Sequence, residues 1–265
     1  MGWLSRFSPS LIANPKVGEG RRVFAIGDIH GRCDLLDALL QIIRDYAASA
    51  PPAQNVLVFL GDYVDRGLES RAVIERLCTL DWPDWQTVFL CGNHDKTVLD
   101  FLKNAAVYRA WRGFGAVETL LSYGVRPPLF NQAEDMERAR RDFALVCPTA
   151  HMEFLSGLKY WHVEGDYAFV HAGVRPSRPL ADQSLDDLIW IRDDFLNHRK
   201  PFEKIIVHGH TPVRAPVVLP NRIGLDTSAH GRLTALVLEG EKRLFLDTQK
   251  NSVEADGSGA EFAAV

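Results

Sequence analysis

Six short apolar runs, each stopped by a polar cluster, restrict most what this chain can fold into. RVFAI runs into GDIHG, NVLVFL into GDYVDRG and TVFL into CGNHD; farther on, YAFV meets HAGVRP, KIIV meets HGHTP and RIGL meets DTSAHG. Continuous β-branched, aromatic and aliphatic runs suit strands covered on both faces. Helical patterns separate the first three. Leu35, Leu39, Ile42, Ile43 and Tyr46 make one stripe, and Ala72, Val73, Leu77 and Leu80 make another. Strand–helix alternation predicts an α/β fold with a largely parallel sheet. In such sheets ligands bind beyond the carboxyl ends of the strands. Every polar cluster stands at such an end, so the clusters are expected to converge.

Residues 96 to about 158 read as helix throughout, an expected insertion over one side of the sheet mouth. RLTALVLEG and KRLFLDT are expected in a second, hairpin-rich sheet. A single domain over 1–250, with a loose arm over about 1–20 and a disordered tail over 251–265, fits a chain of 265 residues. The net charge of −4 offers no basic field for nucleic acid or anionic lipid, and Arg138, Arg140 and Arg141 read as a solvated helix face. No run has signal-peptide or membrane-span length. Cys33, Cys78, Cys91 and Cys147 lack paired or metal-type spacing, as reduced thiols would. A cytoplasmic protein without nucleic-acid or membrane partners is expected.

Aspartates are poor strand formers and costly to bury unpaired, so FLGDYVDRG needs counter-charge. Asp28 and His30 follow the first strand, Asp62 the second, Asn93 the third, His171 the fourth and His210 the fifth. Carboxylates, imidazoles and one amide oxygen form a mixed donor set suited to Mn, Fe or Zn. One carboxylate can bridge two cations about 3.5–4 Å apart, a role that suits Asp62. Such a pair lowers the pKa of water towards roughly 7, which suits in-line attack on phosphorus. His94 could protonate the leaving oxygen, worth about 10²–10⁴ in rate. Asp65 could hold the other nitrogen of an imidazole. Arg66 carries a planar fork for phosphate oxygens, and Arg192 in IWIRDDF is a second candidate.

GDIHG, GDYVDRG, GNHD, HAGV and HGHTP, in this order, resemble the phosphoprotein phosphatase family of metal-dependent Ser/Thr phosphatases, its bacterial and bacteriophage branch above all. The resemblance covers about 22–247, apart from the helical insertion. It implies a metallophosphoesterase-type αββα β-sandwich and two divalent metal ions, commonly Mn, with Fe or Zn also suited to the donors. One metal would take Asp28, His30 and Asp62, the other Asp62, Asn93, His171 and His210. His94 and Asp65 would form an acid dyad, and Arg66 and Arg192 would bind the phosphoryl group. The implied reaction is direct attack by a hydroxide held between the metals, without a phosphoenzyme. Its substrates would be phosphomonoesters, phosphoserine or phosphothreonine in proteins, or small phosphoesters.

Departures from the pattern keep alternatives open. Symmetric diadenosine tetraphosphate hydrolases resemble the chain but carry alanine where Asp65 stands, which favours a phosphomonoesterase. DTSAHGR resembles their DTG loop, with Ser228 in place of the glycine, so a dinucleotide hydrolase or a loose phosphodiesterase stays in view. A non-catalytic phospho-binding scaffold would have lost a ligand or the acid, and neither is missing. His230 falls about where eukaryotic members place an active-site tyrosine, and would touch substrate. Arg175, after HAGV, would bind a substrate anion or form a surface ion pair. His151, His162 and His198 read as packing residues, His208 as a strand-end packing residue or a ligand, and Asp95 and Asp226 as loop pins. Phe101, Tyr108, Trp111 and Phe114 read as the core of the insertion.

Overall fold

The computed structural model describes residues 10–249 and a two-residue strand at 253–254; the rest of the arm and tail lie outside the described residues. β1 (Arg21–Ile26), α1 (Cys33–Ser49), β2 (Gln54–Phe59), α2 (Ser70–Cys78) and β3 (Gln86–Phe89) open the chain. Their strands pair in parallel, Val23 beside Val56 and Val58 beside Val88. Helices alone follow: α3 (Asn93–Lys103), α4 (Tyr108–Trp111), α5 (Ala116–Ser122), α6 (Ala133–Val146) and α7 (Thr149–Ser156). Next come β4 (Trp161–Glu164), β5 (Tyr167–Val170), α8 (Leu185–Trp190), α9 (Asp193–Leu196), β6 (Ile205–His208), β7 (Val217–Val218) and β8 (Arg222–Gly224). β9 (Thr234–Glu239), β10 (Lys242–Asp247) and β11 (Val253–Glu254) complete it.

The strands form two sheets, ordered β11-β10-β9-β1-β2-β3 and β4-β5-β6-β8-β7. Parity along each strand explains the continuous apolar runs. Val23, Ala25, Val56 and Val58 meet Phe169, Val207 and Ile223 between the sheets. Their neighbours Phe24, Ile26, Leu57 and Phe59 pack under α1 and α2. On the far side Val170 and Ile206 meet Leu188, Ile189 and Phe195 of α8 and α9. Both faces of each sheet are therefore covered, in an α/β sandwich of four layers.

Two sequence expectations are corrected. β9 joins the first sheet antiparallel to β1, and β10 pairs antiparallel to β9 beyond it, rather than the two building the second sheet. β9 is apolar on both faces, with Leu236 and Leu238 between the sheets and Ala235 and Val237 towards the helices, so it needs an inner position. Arg22, with 0% exposure, fixes the pairing by a bidentate bond to Glu239 at 2.9 Å on both arms. Second, the parallel strands are shared between two mixed sheets instead of forming one. The helix stripes shift slightly as well: α1 buries Leu36, Leu39, Leu40 and Ile43, and α2 buries Val73, Ile74 and Leu77 while Ala72 faces solvent.

Candidate metal centre and acid dyad

The loops beyond β1, β2, β3, β5 and β6 converge. Among the described residues the non-glycine positions with left-handed backbone are His30, Asp62, Asp65, Arg66 and His210, with φ between 48° and 73°, all in these loops. That conformation is costly for residues with a Cβ, and such residues gather at functional sites. Hydrogen bonds hold it here. The Ile29 and His30 amides donate to the Asp62 carbonyl at 3.0 and 2.9 Å. Asp95, at the start of α3, accepts the amides of Asp62, Tyr63 and Gly92 at 2.8–2.9 Å, a pinning role that extends to two loops. Gly92 is required: a methyl group there would lie 2.0 Å from Asp62 Oδ1.

Asp62 Oδ2 is the hub. His171 Nε2 lies 3.3 Å from it, His30 Nε2 3.7 Å and His94 Nε2 3.8 Å. His30 Nε2 is also 3.8 Å from Asp28 Oδ2, and His171 Nε2 is 3.0 Å from Asn93 Oδ1. His210 joins Asp62 and His171 in a group whose donor atoms lie within 4.8 Å of one another. Two donors at 2.0–2.2 Å from one tetrahedral or octahedral cation stand about 3.0–3.5 Å apart, so small closures would make these sets ligand shells. The tautomers agree. Nδ1 of His30 bonds the Val64 carbonyl and Nδ1 of His171 the Leu60 carbonyl, both at 2.9 Å, which turns each Nε2 to the cluster. Nε2 of His30 and of His210 is buried without a hydrogen-bond partner among the described residues. The residues fit a pair of divalent cations.

Electrostatics point the same way. Burial raises the Asp28 carboxyl well above its usual range, and the Asp226 and Asp62 charges raise it further. Burial would also raise Asp62, but the His171 and His94 charges outweigh it and hold this carboxyl well below. Burial opposes charge on His171, yet Asp62 and then Asp28 lift it to about 10. His30 and His210 are pushed down to about 3 and about 2, chiefly by burial. Crowded carboxylates beside the neutral imidazoles of His30 and His210 suit bound cations, whose charge governs such a site, and a cation would displace the His171 proton.

His94 stands beside this cluster with Nδ1 2.6 Å from Asp65 Oδ2. Burial opposes its charged form, but Asp62 and Asp65 outweigh that and raise its pKa. Asp65 is raised by burial against the pull of bonds from His94, Thr119 and Trp111. Arg66 is exposed and makes no hydrogen bond among the described residues, while its charge acts on His30 and His94. Arg192 is exposed between α8 and α9, its Nη2 3.5 Å from the His210 carbonyl.

Other candidates lie differently. The Arg175 fork is spent on Asp187, at 3.0 and 2.5 Å, and on Asp194 at 2.9 Å, the ion-pair alternative. His230 is exposed on a single 3₁₀ turn, Ser228–His230. His208 uses both ring nitrogens, on the Gly209 carbonyl and Arg222, so neither is free to ligate. His151 bridges Tyr123 and Glu75, and His162 meets Glu164. Asp226 Oδ1 accepts from the Ser228 amide and hydroxyl. The aromatic stripe divides. Phe101 and Tyr108 are core with 0% exposure, but Phe114 meets His94 edge-on at 4.9 Å and then Trp190 at 6.3 Å. Trp111 is buried yet gives its indole N–H to Asp65, a contact that spacing alone does not show. Thr119, polar on the buried face of α5, was the one available cue to the other donor.

Residues 21–238 match the calcineurin-like phosphoesterase family. A protein of Anoxybacillus flavithermus named asymmetrical bis(5'-nucleosyl)-tetraphosphatase PrpE is 27% identical, over 80% of this chain and 88% of its own length. Among solved structures, a putative diadenosine tetraphosphatase superposes with a TM-score of 0.57 at 23% identity, covering 85% of this chain and 93% of its own. A cold-active protein-tyrosine phosphatase of a psychrophilic Shewanella gives 0.59 at 18% identity, covering 92% and 83%. These two superpositions show the shared fold. With the strand-end cluster inside the matched span, the chain belongs to the calcineurin-like phosphoesterase family and is a metal-dependent phosphoester hydrolase.

Proposed function

We propose that the chain hydrolyses phosphomonoesters at the Asp62 cluster with His94 as general acid. The observation that carries this reading is the 2.6 Å contact of His94 Nδ1 with Asp65, which leaves Nε2 facing Asp62. Asp28, His30 and Asp62 would hold one divalent cation, and Asp62, Asn93, His171 and His210 the other, with manganese the first choice. When bound, the pair supplies charge compensation and an ionised water for attack on phosphorus. Arg66 and Arg192 grip the phosphoryl oxygens through their planar forks. His94 passes its Nε2 proton to the leaving oxygen, and Asp65 steadies the charged ring until it is neutral. An alkoxide is a far more basic leaving group than a phosphate and gains more from an acid held this firmly. Phosphoserine or phosphothreonine in proteins is therefore the first substrate class.

A second reading is hydrolysis of dinucleoside polyphosphates. It is favoured by the name of the relative that is 27% identical across 80% of the chain. Its leaving group is itself a phosphate and needs the acid less. Turnover of a phosphothreonine peptide, diadenosine tetraphosphate and bis-p-nitrophenyl phosphate by metal-stripped protein refilled with Mn²⁺ separates the two. Preference for the peptide supports the first reading, and preference for the dinucleotide replaces it with the second. No turnover of any of the three, with both metals bound, would sink both.

A further inference from the structure

We infer that Trp111 and Thr119, both supplied by the helical segment between β3 and β4, are positioning residues for proton transfer to the leaving group. They fix the Asp65 carboxylate in the orientation that presents it to His94. The inference rests on the reading of His94 as general acid.

Asp65 has 0% exposure and left-handed backbone, φ 73°. Its sequence neighbours offer its carboxylate no donor; every donor arrives from elsewhere in the chain. Thr119 Oγ1 donates to Oδ1 at 2.5 Å, Trp111 Nε1 donates to Oδ2 at 2.7 Å, and His94 Nδ1 meets Oδ2 at 2.6 Å. With one oxygen tied to Thr119 and the other to Trp111, the carboxylate cannot turn about its Cβ–Cγ bond. The remaining acceptor site on Oδ2 then points at the imidazole. Thr119 is itself fixed, accepting the Asp65 amide at 3.0 Å and lying 3.1 Å from Ser70 Oγ. Gly115 lets this segment close on the loop, since a methyl group there would lie 2.4 Å from Asp65 Cβ.

A simpler account is that a fully buried indole must find an acceptor for its N–H. That account leaves the identity of the acceptor open. Here it is the same oxygen that holds His94, and the second oxygen is held by a hydroxyl from the next helix. Two independent donors on the two arms of one carboxylate are what orientation of a general acid requires.

The test uses Mn²⁺-loaded full chain, with p-nitrophenyl phosphate as the good leaving group and a phosphothreonine peptide as the poor one. Trp111→Phe and Thr119→Val should each lower kcat on the peptide by roughly 10-fold or more, the usual range for outer positioning groups. KM, manganese content and kcat on p-nitrophenyl phosphate should hold, and Thr119→Ser should restore the peptide rate. If Trp111→Phe fails to fold, the Thr119 pair decides alone. An equal fall on both substrates, or lost manganese, would overturn the inference in favour of a structural role. His94→Asn tells the two layers apart. If it shows no leaving-group dependence, the general-acid reading falls and takes the inference with it. If it shows the dependence and the Trp111 and Thr119 variants do not, only the inference falls. In the His94→Asn background Trp111→Phe should cost nothing further, since both act through one proton. In nitrogen-labelled, zinc-loaded protein, Asp65→Asn should shift the Trp111 indole N–H resonance; an unmoved resonance would count against the contact.

Discussion

The strand-end loops and the helical segment serve the same few ångströms of space by opposite means. In the loops, each cluster residue stands within a residue or two of the glycine or left-handed turn that aims it, as Asn93 does beside Gly92. In the helices, Trp111 and Thr119 reach Asp65 from 46 and 54 residues away, out of otherwise apolar faces. Local geometry thus builds the Asp62 cluster, and tertiary packing builds the surroundings of the His94–Asp65 pair. One set can be damaged without the other.

The largest expected effect breaks the loop side alone. Asp62→Asn keeps the shape but removes the charge shared by both halves of the cluster, and should abolish manganese binding and turnover together. Calorimetric titration with Mn²⁺ checks it; two retained metals would refute the hub. Next, His94→Asn should keep both metals and lose about 10²–10⁴ in kcat on the phosphothreonine peptide, with a smaller loss on p-nitrophenyl phosphate.

A subtler contrast appears with pH. His171 in the metal-free fold is raised from 6.5 to about 10, so its contribution to stability is complete below 6.5 and is lost as pH climbs towards 10. The melting temperature of metal-free protein should therefore fall between pH 7 and 9. Cation-loaded protein should lack that slope, because a ligating imidazole is already neutral. Parallel slopes would show that His171 does not bind the cation. The smallest effect is expected from Arg175→Ala. Its fork is spent on Asp187 and Asp194, so KM for either substrate should hardly move.

This division also decides what could be read from the sequence. The cluster was legible because GDIHG, GDYVDRG, GNHD, HAGV and HGHTP each carry their own turn chemistry beside the residue they aim. Strand membership was not. β9 is an apolar run like β5, and nothing local says that it lies against β1 and not in the second sheet. The pairing of Arg22 with Glu239, 217 residues apart, becomes visible only in the folded chain. The aromatic stripe was legible as core, and Phe101 and Tyr108 are core, but period cannot show where an indole N–H is spent. Arg175 could be narrowed to two roles, since its competitors Asp187 and Asp194 arrive from α8 and α9.

The five left-handed residues around Asp62 carry a consequence for descent. At His30, Asp62, Asp65, Arg66 and His210 glycine would be the easier residue for the backbone, by about 1–3 kcal/mol at each strained site. Hydrogen bonds hold some of these side chains, as Trp111 and Thr119 do Asp65, but Arg66 makes none among the described residues. A lineage that abandoned hydrolysis would be free to drift towards glycine at Arg66, and would grow more stable as it did so. Its fossils would be recognisable as relatives that melt later and have lost the guanidinium.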